Sequence, residues 1–128
     1  MTFFKKYFNK INFKLSSEED KKFLQLVKEF RNIKKLKKKI ILFGNGGSAA
    51  MASHLSVDLT KSCNIRAINF NEADLITCFS NDYGYENWAA EALNFYADKN
   101  DLVVCISSSG TSKNIINLSR FNCDSILF

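Results

Sequence analysis

The stretch ILFGNGGSAAMASH, residues 41–54, constrains the fold more than any other part of the chain. An apolar, β-branched run stops at a turn holding Gly44, Gly46 and Gly47, and small residues then lead to the only histidine, His54. The pattern predicts a buried strand, a tight turn and a helix over residues 48–61. Glycine serves such a turn where φ is positive or where a ligand approaches the backbone closely, and Asn45 is also suited to positive φ. A plain structural turn explains the same residues equally well. GNGGS lacks the GxGxxG spacing of a dinucleotide fold and the lysine of a P-loop, so no nucleotide cofactor is expected.

The rest of the chain repeats the strand–helix alternation. IRAINF reads as a second strand, and ADLITCFSNDYGY as a short helix or strand running into a loop. ENWAAEALNFYA reads as a helix, and DLVVCIS as a strand buried on both faces. KNIINLSRF reads as a helix, and SILF as the start of one more strand. Strands alternating with helices of this length predict an α/β fold with a parallel sheet. Two helices precede it. Residues 3–14 carry Phe4, Phe8 and Ile11 at helical spacing, and SSEEDKKFLQLVKEFRNIKKL runs from acidic to basic as a helix dipole prefers. Phe23, Leu24, Val27, Phe30 and Ile33 give the second helix an apolar stripe. All five glycines are expected at turns, with none inside a helix or strand.

Composition narrows the partners. With 46% hydrophobic and 24% charged residues, the chain has the balance of an ordinary soluble domain. It holds no apolar run long enough to span a bilayer, and its charged, aromatic N-terminus has no signal-peptide pattern. The cysteines Cys63, Cys78, Cys105 and Cys123 form no CxxC pair. They read as small core residues in a reducing compartment, which makes the cytoplasm the expected location. Residues 1–40 hold 13 of the 18 Lys and Arg against 4 acids, while residues 41–128 carry a net −4. A basic arm suits nucleic acid or a membrane surface, but KKLKKK has no interleaved aromatics. A solvated helix face is the simpler reading, and neither partner is expected.

The second turn is the more informative. Ser107, Ser108, Ser109, Thr111 and Ser112 crowd five hydroxyls around Gly110, after a strand and before a helix. Hydroxyl and backbone N–H donors at a helix start form an anion site, and phosphate suits it. Helix capping alone needs one or two such residues. His54 and Asp58 are four apart and share a helix face beside a Met51, Leu55, Leu59 stripe. They could supply two metal ligands, or an acid–base group with its orienting partner. A packed histidine is the simpler reading, and no second histidine or clustered cysteine completes a metal site. SNDYGY, residues 80–85, suits an Asx-turn loop, although Asp82 and its aromatics could also line a pocket.

Taken together, GNGGSAAMASH, TCFSNDYGY and VCISSSGTSKNII, in that order and spacing, resemble the sugar isomerase (SIS) domain superfamily and, within it, the phosphoheptose isomerase family. The resemblance covers roughly residues 15–120. It implies a three-layer α/β sandwich with a parallel sheet, preceded by N-terminal helices. The division implied is a helical arm at residues 1–39 and a partial SIS domain at residues 40–128. It further implies a cytoplasmic homotetramer that converts sedoheptulose 7-phosphate to a mannoheptose 7-phosphate, an early step towards the lipopolysaccharide core. By the resemblance, Ser107, Ser109 and Ser112 bind phosphate and Ser108 stands where a threonine touches substrate. Asn45 and Ser48, with Gly46 and Gly47 between them, match substrate-contacting positions, and Asp82 matches an aspartate on the sugar chain. His54 matches a residue that helps hold zinc in members that carry it, with Asp58 beside it.

Two departures from the family pattern stand out. Asp58 falls where the family has a catalytic glutamate, which keeps the charge but shortens the reach. The family's second acid–base residue is a histidine on a later helix, after a glutamine, and residue 128 precedes that region. The expectation is therefore a chain that binds sugar phosphate and turns it over weakly or not at all by itself. Two other readings remain at this point. One is a non-catalytic adaptor resembling the DnaA initiator-associating protein, and the other is a sugar-phosphate sensor.

Overall fold

Four strands pair in the order β2–β1–β3–β4: β1 at Lys39–Gly44, β2 at Arg66–Asn69, β3 at Leu102–Ile106 and β4 at Ile126–Leu127. Every pairing is parallel. The structure, a computed structural model, describes residues 2–16, 20–120 and 126–127. The chain divides into two compact units, Met1–Arg31 and Asn32–Phe128. The first contains α1 (Phe3–Ser16) and most of α2 (Asp20–Lys35). Its apolar stripe is open rather than packed: Phe4, Phe8, Phe23, Leu24 and Val27 are all exposed. Ile33, in the second unit, is the residue of that stripe that is buried.

In the second unit the sheet forms because β1 and β3 are continuous apolar runs. Ile40, Ile41, Leu42 and Phe43 of β1, and Leu102 to Cys105 of β3, are all buried. A strand buried on both faces needs a layer on each side, which a parallel sheet obtains from its crossover helices. One side is covered by α3, Gly47–Lys61. The other carries α4 (Ala73–Tyr83), α5 (Trp88–Tyr96) and α6 (Lys113–Ile116), which runs into a 3₁₀ turn at Asn117–Arg120. On that side Ile41, Phe43, Val103 and Cys105 pack with Trp88, Ala89, Ala92 and Leu93, closed by Ile115 and Leu118. The layers are those of a three-layer α/β sandwich, as the sequence led one to expect.

Several local expectations are corrected. The face of α3 that meets the sheet is Ala52, Ser56 and Leu59, whereas Met51 is exposed. Small residues line this face because the helix runs close to the strand. A Cβ on Gly44 would lie 2.5 Å from the carbonyl carbon of Ser48 and 2.8 Å from the amide nitrogen of Ala49. Gly44 therefore closes β1 and Gly47 opens α3, so neither lies in a free turn. Residues 73–83 are helical. Cys63 and Cys78 are exposed and only Cys105 is buried, while Cys123 lies outside the described residues.

The amino ends of β1 and β3 are tied by charge. The Lys39 ammonium bonds to Asp98 at 2.7 Å and pairs with the buried Asp101, and the Lys39 backbone N–H donates to Asp101 at 3.0 Å. Burial alone would lower the Lys39 pKa, but hydrogen bonds to Asp101 and Asp98, helped by their charges, outweigh it and raise the pKa. The hydrogen bond from Lys39, then its charge, holds Asp98 below the usual carboxylate value. A raised lysine pKa contributes stability that is lost as pH climbs through the folded value, above 10.5. A lowered aspartate pKa contributes stability that is lost as pH drops through the folded value, below 3.8. Urea unfolding of the wild type and Lys39→Met should therefore differ by a constant amount near neutrality. The difference should shrink at both ends of the pH range.

Candidate functional site

The two turns singled out in the sequence leave the sheet side by side. β1 and β3 are neighbours, and their last residues, Gly44 and Ile106, are register partners. From β1 the chain crosses to β2 on one side, while β3 lies on the other. The crevice between β1 and β3 is thus the topological switch point, where open α/β sheets bind ligands beyond the carboxyl ends of their strands.

In the first turn the Ser48 N–H donates to the Asn45 carbonyl at 3.0 Å, and the Ala50 N–H to that of Gly46 at 3.1 Å. The positive φ needed here, 54°, falls on Gly46. Asn45 lies outside that region and is held by its side chain instead. Its Nδ2 donates to Oδ1 of Asn114 at 2.9 Å, and Nδ2 of Asn114 donates back to Oδ1 of Asn45 at 2.9 Å. The Tyr85 hydroxyl donates to the same Asn45 oxygen at 3.4 Å. Asn45 thus joins the glycine turn, the helix after the hydroxyl turn and the aromatic loop.

In the second turn the Gly110 N–H donates to Ser107 Oγ at 3.0 Å, and the Thr111 N–H to Ser109 Oγ at 3.3 Å. Both hydroxyl protons remain available to an external acceptor. Ser112 precedes α6 as its N-cap residue but makes no side-chain capping bond, so capping does not account for its hydroxyl. Ser108, Ser109, Gly110 and Thr111 are exposed. A Cβ built on Gly46, Gly47 or Gly110 would meet nothing within 4 Å. There is open space above both turns. The helix after the hydroxyl turn is shorter than expected, only 4 residues before the 3₁₀ turn. Its dipole is correspondingly small, so the donors this turn offers are its hydroxyls and backbone N–H groups.

On the exposed side of α3, His54 Nε2 lies 3.4 Å from Asp58 Oδ2. Both side chains are open to solvent and line a groove of about 530 Å³ with Ala50, Met51, Leu55 and Ile106. The Met51 and Leu55 stripe borders this groove instead of the core. Because Ile106 directly precedes Ser107, the groove reaches the foot of the hydroxyl turn. Its volume suits a small ligand. The pair offers two ligand atoms where a zinc site takes three or four from protein. Among the described residues no cluster of three or more His, Cys, Asp or Glu stands ready to hold a metal. This arrangement within one chain does not by itself fit a zinc site.

Asp82 lies in the last turn of α4, where its carboxylate accepts from Asn81 at 3.1 Å and from the Cys78 thiol at 3.9 Å. It is Tyr85, not Asp82, that ties the SNDYGY segment to the turns. Ser48 lies half-buried in the first turn of α3. Sequence reasoning missed Asn114, which is only 2% exposed. Its position gave no signal, since asparagine is ordinary in the first turn of a helix.

The architecture defines an α/β protein whose glycine and hydroxyl turns leave the sheet side by side at its switch point. The family model for the SIS domain matches residues 3–120, and the chain belongs to that family. It is 39% identical over 84 residues to a phosphoheptose isomerase of Helicobacter pylori strain HPAG1, covering 61% of this chain and 44% of that protein. It is 39% identical over 101 residues to a probable phosphoheptose isomerase of Thermoplasma acidophilum, covering 70% of this chain and 55% of that protein. The chain thus spans about half the length of these relatives. The structure of a phosphoheptose isomerase from Neisseria gonorrhoeae matches with a TM-score of 0.71 at 28% identity, over 76% of this chain and 53% of that one. One from Francisella tularensis shares the fold with a TM-score of 0.81 at 23% identity, over 94% of this chain and 69% of that one.

Gly44 bears the closest contact between the strand and helix that frame the first turn. Gly44→Ala places a methyl group against backbone atoms of Ser48 and Ala49, which cannot swing aside. The expected loss is about 2–3 kcal/mol, read as a lower urea midpoint with an unchanged m-value.

Proposed function

We propose that the protein is a sugar-phosphate isomerase of the phosphoheptose type, acting on sedoheptulose 7-phosphate. The observation that carries this reading is the meeting of the glycine turn and the hydroxyl turn at Gly44 and Ile106, with the His54–Asp58 groove ending at the same place. The names and the sequence identity of the relatives support the choice of substrate.

In this reading Ser107, Ser109 and Ser112 donate to the phosphoryl oxygens, together with backbone N–H groups around Gly110. Ser108, Asn45 and Ser48 contact the sugar, with Gly46 and Gly47 leaving room for it, and Asp82 meets the sugar chain. Asp58 is the base for carbon. It takes the C1 proton of the ketose, the C1–H electron pair becomes the C1=C2 double bond, and the C2 carbonyl oxygen takes up a proton. The resulting enediol loses its O1 proton as C1=O forms, and Asp58 returns its proton to C2. His54, 3.4 Å away, orients the Asp58 carboxylate. Moving the hydroxyl proton requires a second acid–base group, and we assign that role to no described residue. No step here runs through a metal.

The same reading takes the protein as a cytoplasmic homo-oligomer, a tetramer by resemblance, working towards the lipopolysaccharide core. Among the described residues no helix is long and apolar enough to cross a membrane. Met51, Val57 and Ile116 are exposed apolar side chains suited to a subunit contact.

Calorimetry with sedoheptulose 7-phosphate tests the binding half of the proposal. The wild type should bind the phosphate ester and ignore free sedoheptulose. Each of Ser107→Ala and Ser109→Ala removes a hydrogen bond to a charged oxygen and should weaken binding by about 10-fold or more. Absence of wild-type binding would falsify the reading.

Proton exchange tests the chemical half without requiring full turnover. In heavy water the wild type should exchange the C1 proton of the bound ketose, observable by NMR. Asp58→Asn should abolish that exchange while changing affinity less than about threefold, since it removes the base and leaves the phosphate contacts. Equal exchange in the variant would remove Asp58 from the mechanism.

A further inference from the structure

We infer that Asn114 is a positioning residue, which acts through Asn45 to fix what the site offers the sugar portion of its ligand. The inference rests on the sugar-phosphate reading above. Asn114 is a polar side chain buried to 2% exposure at the crevice between β1 and β3. A buried amide keeps its partners, because an unpaired one is costly. Its partner is Asn45, across 69 residues of sequence, in a reciprocal pair with both bonds at 2.9 Å.

Counting the groups on Asn45 shows the consequence. Its carbonyl oxygen has two lone pairs and accepts from two donors, Nδ2 of Asn114 and the Tyr85 hydroxyl. Its amide nitrogen carries two N–H groups, of which one goes to Asn114. Asn45 therefore presents a ligand with one free N–H and no free acceptor. That N–H meets an acceptor oxygen on the sugar, and the reciprocal pair with Asn114 holds the Asn45 amide in place for it. The phosphate contacts assigned to the serine hydroxyls do not pass through Asn45. Asn114 should thus govern affinity for the sugar part of the ligand far more than for the phosphate.

The experiment compares dissociation constants for sedoheptulose 7-phosphate and for inorganic phosphate in wild type, Asn114→Ala, Asn45→Ala, the double variant and Tyr85→Phe. Asn114→Ala should weaken sedoheptulose 7-phosphate by about five- to tenfold and inorganic phosphate by less than about twofold. In the Asn45→Ala background the Asn114 substitution should add almost nothing, as a coupled pair requires. A purely structural role would weaken both ligands together, or cost the same in the Asn45→Ala background, and either result overturns the inference. If the Asn114 variants do not fold, Tyr85→Phe decides. Tyr85 is exposed, so its melting temperature should hold while sugar-phosphate affinity drops about twofold. Unchanged affinity for both ligands would then reject the inference. A wild type that binds no sedoheptulose 7-phosphate rejects the functional reading and this inference together. A wild type that binds it, with Asn114→Ala unaffected, rejects this inference alone.

Discussion

Parallel pairing of β1 with β3 is the constraint on which the rest depends. It brings Gly44 and Ile106, distant in sequence, to one level at one edge of the sheet. The chain leaves β1 towards α3 on one face and reaches α6 from β3 on the other. A crevice has to open between them, because the helices diverge where the strands adjoin. Neither turn would make a site alone. The glycine turn contributes clearance and few donors, while the hydroxyl turn contributes donors on a helix too short to have much dipole.

The two ends of this strand pair are fastened by different chemistry. At the amino end Lys39 bridges Asp98 and Asp101, and an ion pair there stands far from any reacting group. At the carboxyl end the fastening is the neutral pair Asn45–Asn114. A charged pair in that position would place a carboxylate beside an incoming phosphate and raise the cost of bringing the anion in. Two amides satisfy each other's buried groups without imposing a net charge. A neutral pair is what the proposed phosphate site calls for at this end.

Much of this was legible in the sequence, for reasons that can be located. KIILF and LVVCI are continuous apolar runs, and only a strand covered on both faces suits them. Gly-rich and Ser-rich punctuation marked the two turns because few residues tolerate those backbone demands. The buried face of α3 was not legible. Ala52 and Ser56 carry little hydrophobic signal, and they are buried because Gly44 lets the helix come close. The larger Met51 and Leu55, which periodicity favours, instead border the groove. The helices α1 and α2 were legible from their apolar periodicity, which reports a face and not what covers it. Asn114 was hidden because a buried polar residue becomes meaningful only once its partner is known.

The net charge sharpens the meaning of the hydroxyl turn. Residues 41–128 carry more acids than bases, and the cation closest in sequence to the turn is Lys113, itself exposed. No arginine lies in either turn to clamp a phosphate by a bidentate pair. In the proposed reading the hydroxyls and backbone N–H groups of the turn bind the same anion by hydrogen bonds alone. The groove that holds Asp58 is lined by Ala50, Met51, His54, Leu55 and Ile106 and meets the hydroxyl turn only at the end of β3. In the proposed reading, phosphate capture and proton transfer therefore fall to separate parts of one crevice.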